Sequence, residues 1–253
     1  MNIMKIEKKM WSVAGIAIVL IGWHFLSGEN NAVDIPSPIN VLDAAIENRF
    51  VIVNELLLTL LRAGTSFALA VITMVPLGIA CARVRWLGEP LEPIIQFIVA
   101  IPPPAVIPIV MLFAGIGDAA KISVVYYAAA PLVLINTIEG VRNSPPTLDL
   151  VGRSLRLWAS ELMVLIDLPA AMPAVLTGMR LAIGASLLVS ITSEMLLSTN
   201  GIGTFVQRSQ ESYNVAATLS GIAVISIVGL LVNMVILHIE KRLLFWHYRS
   251  GEK

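Results

Sequence analysis

No feature constrains this chain more than the spacing of its charges. Five long runs carry no formal charge: Trp11–Gly28, Ala63–Ala82, Pro93–Gly117, Ile122–Ile138 and Val215–Leu237. A sixth apolar run, Ala174–Leu197, holds only Arg180 and Glu194. Most of these reach the roughly 20 residues that a helix needs to cross a hydrocarbon core about 30 Å thick. The longest stretch that cannot sit in lipid is Glu139–Arg180, with Glu139, Arg142, Asp149, Arg153, Arg156, Glu161 and Asp167. A polar connection of that length between two spans is uncommon and tends to carry function. Only 13% of residues are charged, against about 25% in a soluble domain. The chain therefore reads as one all-α polytopic membrane domain over residues 1–253, with about six transmembrane helices.

The basic residues set an orientation. An inner N-terminus places thirteen of the seventeen Lys and Arg on the inner side, leaving Arg49, Arg62, Lys121 and Arg208 outside. The excess of positive charge on cytoplasmic loops selects that arrangement. Both termini and the Glu139–Arg180 loop are then cytoplasmic. Formal net charge is zero, which gives no general attraction for nucleic acid. The single cysteine, Cys81, excludes an internal disulfide.

Trp11–Gly28 follows a short basic segment and is expected to be an uncleaved first span. No small-x-small cleavage site follows it; the next residues are Glu29-Asn30-Asn31. Ser37 and Pro38 have the residue types of a helix N-cap and first helical position. Val41, Leu42, Ala45 and Ile46 then form the stripe of an outer amphipathic helix. The second span is expected to start at Ala63, with Arg62 snorkelling to the headgroups and Pro76 kinking it. Pro102, Pro103, Pro104 and Pro108 prevent the third span from being a straight helix. Two readings stand for that break: a kink that serves packing, or an irregular segment beside a pathway. Gly115-Ile116-Gly117-Asp118 reads as a turn in which Asp118 caps a helix beginning near Lys121.

Recognisable catalytic patterns are missing. There is no Gly-x-Ser-x-Gly, no His-Glu-x-x-His, no cysteine pair and no P-loop. An intramembrane aspartyl protease also carries Gly-x-Gly-Asp, but its chemistry needs a second embedded aspartate. Glu194, beside Ser190 and Ser193, is the one carboxylate deep in a span. It is either a functional intramembrane group or a glutamate at the outer interface bonded to nearby backbone amides. With Asn136, these residues are the candidate lining of a pathway. Leu148, Val151, Leu155, Trp158 and Leu162 recur at helical spacing after Pro145-Pro146 and before Pro169. That stripe suits either a groove in a partner protein or the membrane surface.

Leu168-Pro169-x-x-x-Pro173 followed by Thr177-Gly178-Met179-Arg180 resembles the signature loop of ABC importer permeases. The likeness is greatest to the nitrate/sulfonate/taurine branch. Ile35-Pro36-Ser37-Pro38-Ile39-Asn40-Val41-Leu42 is similar to that branch's outer-helix motif. Pro103-Pro104-Ala105-x-x-Pro108 with Phe113–Asp118 and Lys121 looks like its third-span motif. Ser193-Glu194-Met195 with Gly201-Ile202-Gly203 resembles its fifth-span ending, and Trp246-His247 its C-terminus.

The resemblance implies a type I ABC importer transmembrane domain in a bacterial inner membrane, with a cytoplasmic coupling helix. Residues 1–54 would form the first span and outer helix, and residues 55–245 the permease core with its coupling loop at 139–173. The partners implied are two copies of a cytoplasmic ATPase subunit, a second permease copy forming a homodimer, and a periplasmic or lipid-anchored solute-binding protein. ATP and Mg would sit on the ATPase, with no cofactor and no enzymatic site in this chain. The solute expected is a small sulfonate-, nitrate- or taurine-like anion; the alternative is an ATP-independent channel or facilitator. The implied coupling residues are Leu150, Gly152, Arg153, Arg156, Trp158, Leu168, Pro169 and Pro173. The family loop usually carries a Glu-Ala-Ala triplet and a glycine twelve residues before Leu-Pro. Here those positions read Leu150-Val151-Gly152 and Arg156, and Arg takes a left-handed backbone less readily than Gly.

Overall fold

The computed structural model describes residues 35–197 and 199–244, with scattered positions between 11 and 27. The expected first span and the Trp246-His247 ending lie outside the continuously described residues. The elements, in order, are α1 (Pro38–Glu47), α2 (Arg49–Arg83), α3 (Arg85–Ala100), α4 (Pro103–Ala114), α5 (Asp118–Arg142), α6 (Pro146–Ser154), α7 (Ala159–Leu162), a π turn (Met163–Asp167), α8 (Leu168–Leu197), α9 (Ile202–Glu211) and α10 (Val215–Leu243). Four described segments are long and apolar enough to cross a membrane: Arg49–Arg83, Asp118–Arg142, Ala159–Leu196 and Val215–Leu243. The pair α3 and α4 makes a fifth if counted as one broken span, bent by 98°.

The bend has a local cause. Ile101 precedes a proline and is held extended, and Pro102 follows it in an extended conformation. Pro103 and Pro104 then restart the helix at its first two positions, where a missing N–H costs no hydrogen bond. The carbonyls freed at the break are not left bare. The Tyr127 hydroxyl of α5 donates to Ile98 O at 2.7 Å and lies 3.3 Å from Ile101 O. A broken helix in a membrane needs a protein partner of this kind.

α5 is the central helix, packed between α2 and α8. Small residues let these three approach closely. A Cβ added at Gly78 of α2 would stand 2.7 Å from Thr137, and one at Gly178 of α8 2.7 Å from Asn136. One added at Gly140 of α5 would stand 2.7 Å from Ala174. Ala70, Ala129, Ala130, Val133 and Ala182 fill the middle of the contact. α10 lies at the edge, with little of its most apolar stretch covered. α1 packs across α10, burying Val41 while Ile39, Leu42 and Ile46 stay exposed. Ser37 caps α1 by accepting from Asn40 N at 3.2 Å, as its sequence requires.

Three expected boundaries move. α2 starts at Arg49, fourteen residues before Ala63, so Arg62 lies inside a helix instead of at its outer end. Asp118 begins α5 itself, and Gly117 holds the cap position, so no cap ahead of Lys121 is needed. Pro169 does not end the loop helix; it is the second residue of α8.

Candidate functional site

Two polar constellations stand at opposite ends of the α2–α8 pair. At one end, residues 146–167 form a hairpin. α6 starts at Pro146, with Leu148 N donating to Pro145 O at 3.0 Å. It stops at a Schellman closure: Leu157 N donates to Gly152 O at 3.1 Å, across a residue in the left-handed region. That residue is Arg156, with φ of 51°. The position is normally glycine's, because a Cβ makes the conformation costly by roughly 1–2 kcal/mol. The expected single stripe from Leu148 to Leu162 is therefore two helices separated by this turn. Beyond it, the Glu161 carboxylate accepts from Trp158 N at 2.8 Å and starts α7.

Gly152 is buried where the two arms of the hairpin meet, and an added Cβ would press on Leu162 and, at 3.2 Å, on Ile166. The other faces stay open. Leu150, Val151, Leu155 and Arg156 are exposed, and Trp158 is 78% exposed. Arg153 sits in α6 between them. The hairpin joins α8 through the π turn, in which Leu168 N reaches back to Met163 O. Pro169 explains the wide turn: it cannot donate to Leu165 O, so the ladder loses a bond there. Leu168 is half-buried and Pro169 exposed, and Pro173 lies inside α8 one turn further on.

Asp167 closes the π turn and is 1% exposed. Arg83, the last residue of α2, grips its carboxylate with two nitrogens; Nε stands 2.8 Å from Oδ2 and Nη2 is paired with Oδ1. A cleft of about 600 Å³ opens beside the pair, lined by Arg85, Glu89, Glu92 and Arg142 among others.

At the other end, Arg62 is 4% exposed and does not snorkel. Its Nη1 donates to Glu194 Oε1 at 2.7 Å, and its Nη2 donates to Asn200 Oδ1 at 2.6 Å. Nε reaches Asp118 Oδ1 at 2.9 Å. Glu194 is fully buried, and its second oxygen accepts from Thr59 Oγ1 at 2.7 Å and from Gly203 N at 3.2 Å. Thr59 Oγ1 in turn accepts from Ile202 N at 3.0 Å. Glu55 accepts from Gly201 N. Lys121 stands 3.4 Å from both Asp118 and Asn200. Two carboxylates thus hold the N-terminus of α9, where free N–H groups and the helix dipole favour negative charge. The cluster joins α2, α5, α8 and α9.

Of the four candidate pathway residues, Ser190, Ser193 and Glu194 share the last turns of α8 and are all buried. Ser193 Oγ donates to Ser190 O at 2.8 Å, while Ser190 Oγ has no hydrogen-bond partner among the described residues. Asn136 is apart from them. It faces Gly178, sixteen residues or about 24 Å along α8 from Glu194. It is half-buried, and its Nδ2 donates to Leu132 O at 2.8 Å.

Sequence reasoning missed Arg62, Thr59, Asn200 and the Arg83–Asp167 pair. The signal was present for Arg62. Moved one turn or more into a helix, a charge at a membrane boundary needs a partner, and Glu194 is the carboxylate at the matching end of another span.

The profile of the family described as "Binding-protein-dependent transport system inner membrane component" matches residues 74–245. Among curated proteins, the chain is 31% identical to the nitrate import permease protein NrtB of Synechocystis sp., over 89% of this chain and 86% of that one. It is 30% identical to the bicarbonate transport system permease protein CmpB of Synechococcus elongatus, over 95% and 91%. It is also 30% identical to the taurine transport system permease protein TauC of Escherichia coli, over 75% and 69%. Among solved structures, a chain of the inward-facing MetNI methionine ABC transporter superposes with a TM-score of 0.70 at 17% identity, covering 78% of this chain and 98% of that one. The fold is that of an ABC importer transmembrane domain.

Proposed function

The chain belongs to the binding-protein-dependent transport system inner membrane component family, in its nitrate/sulfonate/taurine branch, and from that premise we propose the following assembly. Two copies of this permease line a pathway between them, and a cytoplasmic ATPase subunit seats on the exposed hairpin tip, residues 150–158, of each copy. A solute-binding protein delivers its load from the outer side. The hairpin end and both termini face the cytoplasm, in keeping with the distribution of Lys and Arg. ATP and Mg bind on the ATPase, and this chain performs no chemistry of its own. The solute is a small anion: the names of three relatives point to nitrate, taurine and bicarbonate, each bearing an oxyanion group.

One observation carries the coupling reading. The hairpin tip presents Leu150, Leu155 and Trp158 to its surroundings, flanked by Arg156. It lies in the longest stretch too polar for lipid. Apolar side chains clustered on a polar, water-facing loop mark an interaction surface. A protruding Trp beside Arg has the composition of an interface hot spot. Leu150, Gly152, Arg153, Arg156, Trp158, Leu168, Pro169 and Pro173 are accordingly assigned to contact with the ATPase or to support of that contact. Asn136 is assigned to the pathway wall; Ser190, Ser193 and Glu194 are assigned to shaping its outer end.

The test is uptake by proteoliposomes holding the permease with its cognate ATPase and binding protein, fed labelled taurine, nitrate and bicarbonate in turn. ATP-dependent uptake of at least one is expected. Uptake of none would contradict the solute class. Uptake that persists without ATP would contradict the importer reading and favour a facilitator.

A further inference from the structure

α2 and α8 run antiparallel and are bolted together twice. Arg62 and Arg83 both belong to α2, and their carboxylate partners, Glu194 and Asp167, stand at the two ends of the α8 segment. Arg62 and Arg83 are 21 residues apart, a rise of about 32 Å, which is one hydrocarbon thickness. The bolts thus lie on opposite sides of the membrane. Between them lie two apolar clusters, one with Ile79 and Val175 and the other with Ala70 and Ala182. Apolar surfaces of that kind can slide, whereas a two-pronged guanidinium–carboxylate pair fixes both distance and orientation.

We infer that Arg83 and Asp167 are positioning residues: their ion pair is the joint through which the hairpin moves α2, and through α2 the far cluster. This rests on the proposed coupling role of the hairpin. Asp167 is placed for such a task. It closes the π turn, at the point where the hairpin becomes α8. A π turn within a helix is frequently found at a functional site. Displacement of the hairpin tip moves Asp167, and Arg83 carries that movement into the end of α2. The cleft on the α3 side leaves room for the pair to travel, with Arg85, Glu89 and Glu92 around it. At the opposite end, Arg62 delivers the movement to Glu194, Asp118 and Asn200 together. The same path runs backwards: a partner docking on the outer side reaches the ATPase through α2.

The experiment uses the complete complex in nanodiscs and reads ATP hydrolysis with and without the cognate binding protein. Asp167→Asn keeps the shape of the side chain and removes its charge. It is expected to leave basal hydrolysis within twofold of wild type while the stimulation by binding protein falls at least fivefold. The exchanged double variant, Arg83→Asp with Asp167→Arg, is expected to recover half or more of the stimulation. Normal stimulation in Asp167→Asn overturns the inference. So does parallel loss of basal and stimulated rates that the exchange does not restore, because that is the signature of a merely structural pair. If Asp167→Asn does not reach the membrane, the exchanged variant decides by the same criterion. A wild-type complex that ignores its binding protein overturns the importer reading, and this inference with it.

Discussion

The two ends of the α2–α8 pair solve the same problem in opposite ways. At the Arg62 end, Arg62 and Glu194 are buried and well partnered, with Asp118 at the exposed rim: one guanidinium meets two carboxylates and an amide, and one glutamate meets a hydroxyl, an arginine and a backbone N–H. At the hairpin end, one ion pair is buried and the rest of the structure is unfinished, with a left-handed arginine and an exposed tryptophan. α9 also ends on a left-handed, exposed aromatic residue, Tyr213, so neither strain nor one exposed ring separates the ends. What separates them is how far each is completed within the chain. A closed polar cluster holds helices in one register without outside help. In the proposed assembly, the open apolar tip is completed by the ATPase.

The largest effect is expected where the closed end is opened. Glu194→Ala leaves Arg62 buried with Asp118 and Asn200 but without its buried carboxylate, which costs roughly 1–3 kcal/mol or more. Thermal unfolding of the purified chain in detergent should show the loss, and an unchanged melting temperature would mean the cluster is not a fastening. Gly201 sharpens the same point. Its φ is 111°, and an added Cβ would enter the Glu194 carboxylate. Gly201→Ala should cost about 1–3 kcal/mol by backbone strain and displacement of the cluster.

At the open end, stability and binding should come apart. Trp158→Ala should leave the melting temperature of the isolated chain unchanged, since the side chain is largely exposed. Binding to the ATPase should weaken by about 2 kcal/mol or more, roughly thirtyfold, as for an interface hot spot. Titration of the ATPase against wild type and variant reads this directly. The smallest effect belongs to Arg156→Gly. It relieves the left-handed strain and should raise hairpin stability by up to about 1 kcal/mol, measured as slower amide exchange in α6. A fall instead would mean that Arg156 makes a stabilising contact within the chain.

Spans that are free of charge were legible in the sequence. Val215–Leu237 and the helix Val215–Leu243 agree because nothing in that stretch competes with its apolar character. The Pro102–Pro104 break was legible because proline acts locally. The start of α2 was not. Asn54, Glu55 and Arg62 make its first turns look like a loop, yet in the fold Glu55 and Arg62 face α9 and Glu194. Hydropathy scores each charge as though it faced lipid or water; it does not see a partner 84 to 146 residues away in the chain. Asp167 was hidden for the same reason, read as part of a polar loop when Arg83 holds it buried. The hairpin's split was nearly legible. Arg156 stands where the family usually has glycine, and the left-handed turn falls on that residue.

The contrast between the ends is tested most directly by photo-crosslinking from two exposed positions, 158 and 213, in membranes holding the complete complex. An adduct with the ATPase is expected from position 158 and none from position 213. An ATPase adduct from 213, or its absence from 158 in a complex that still hydrolyses ATP, would contradict it.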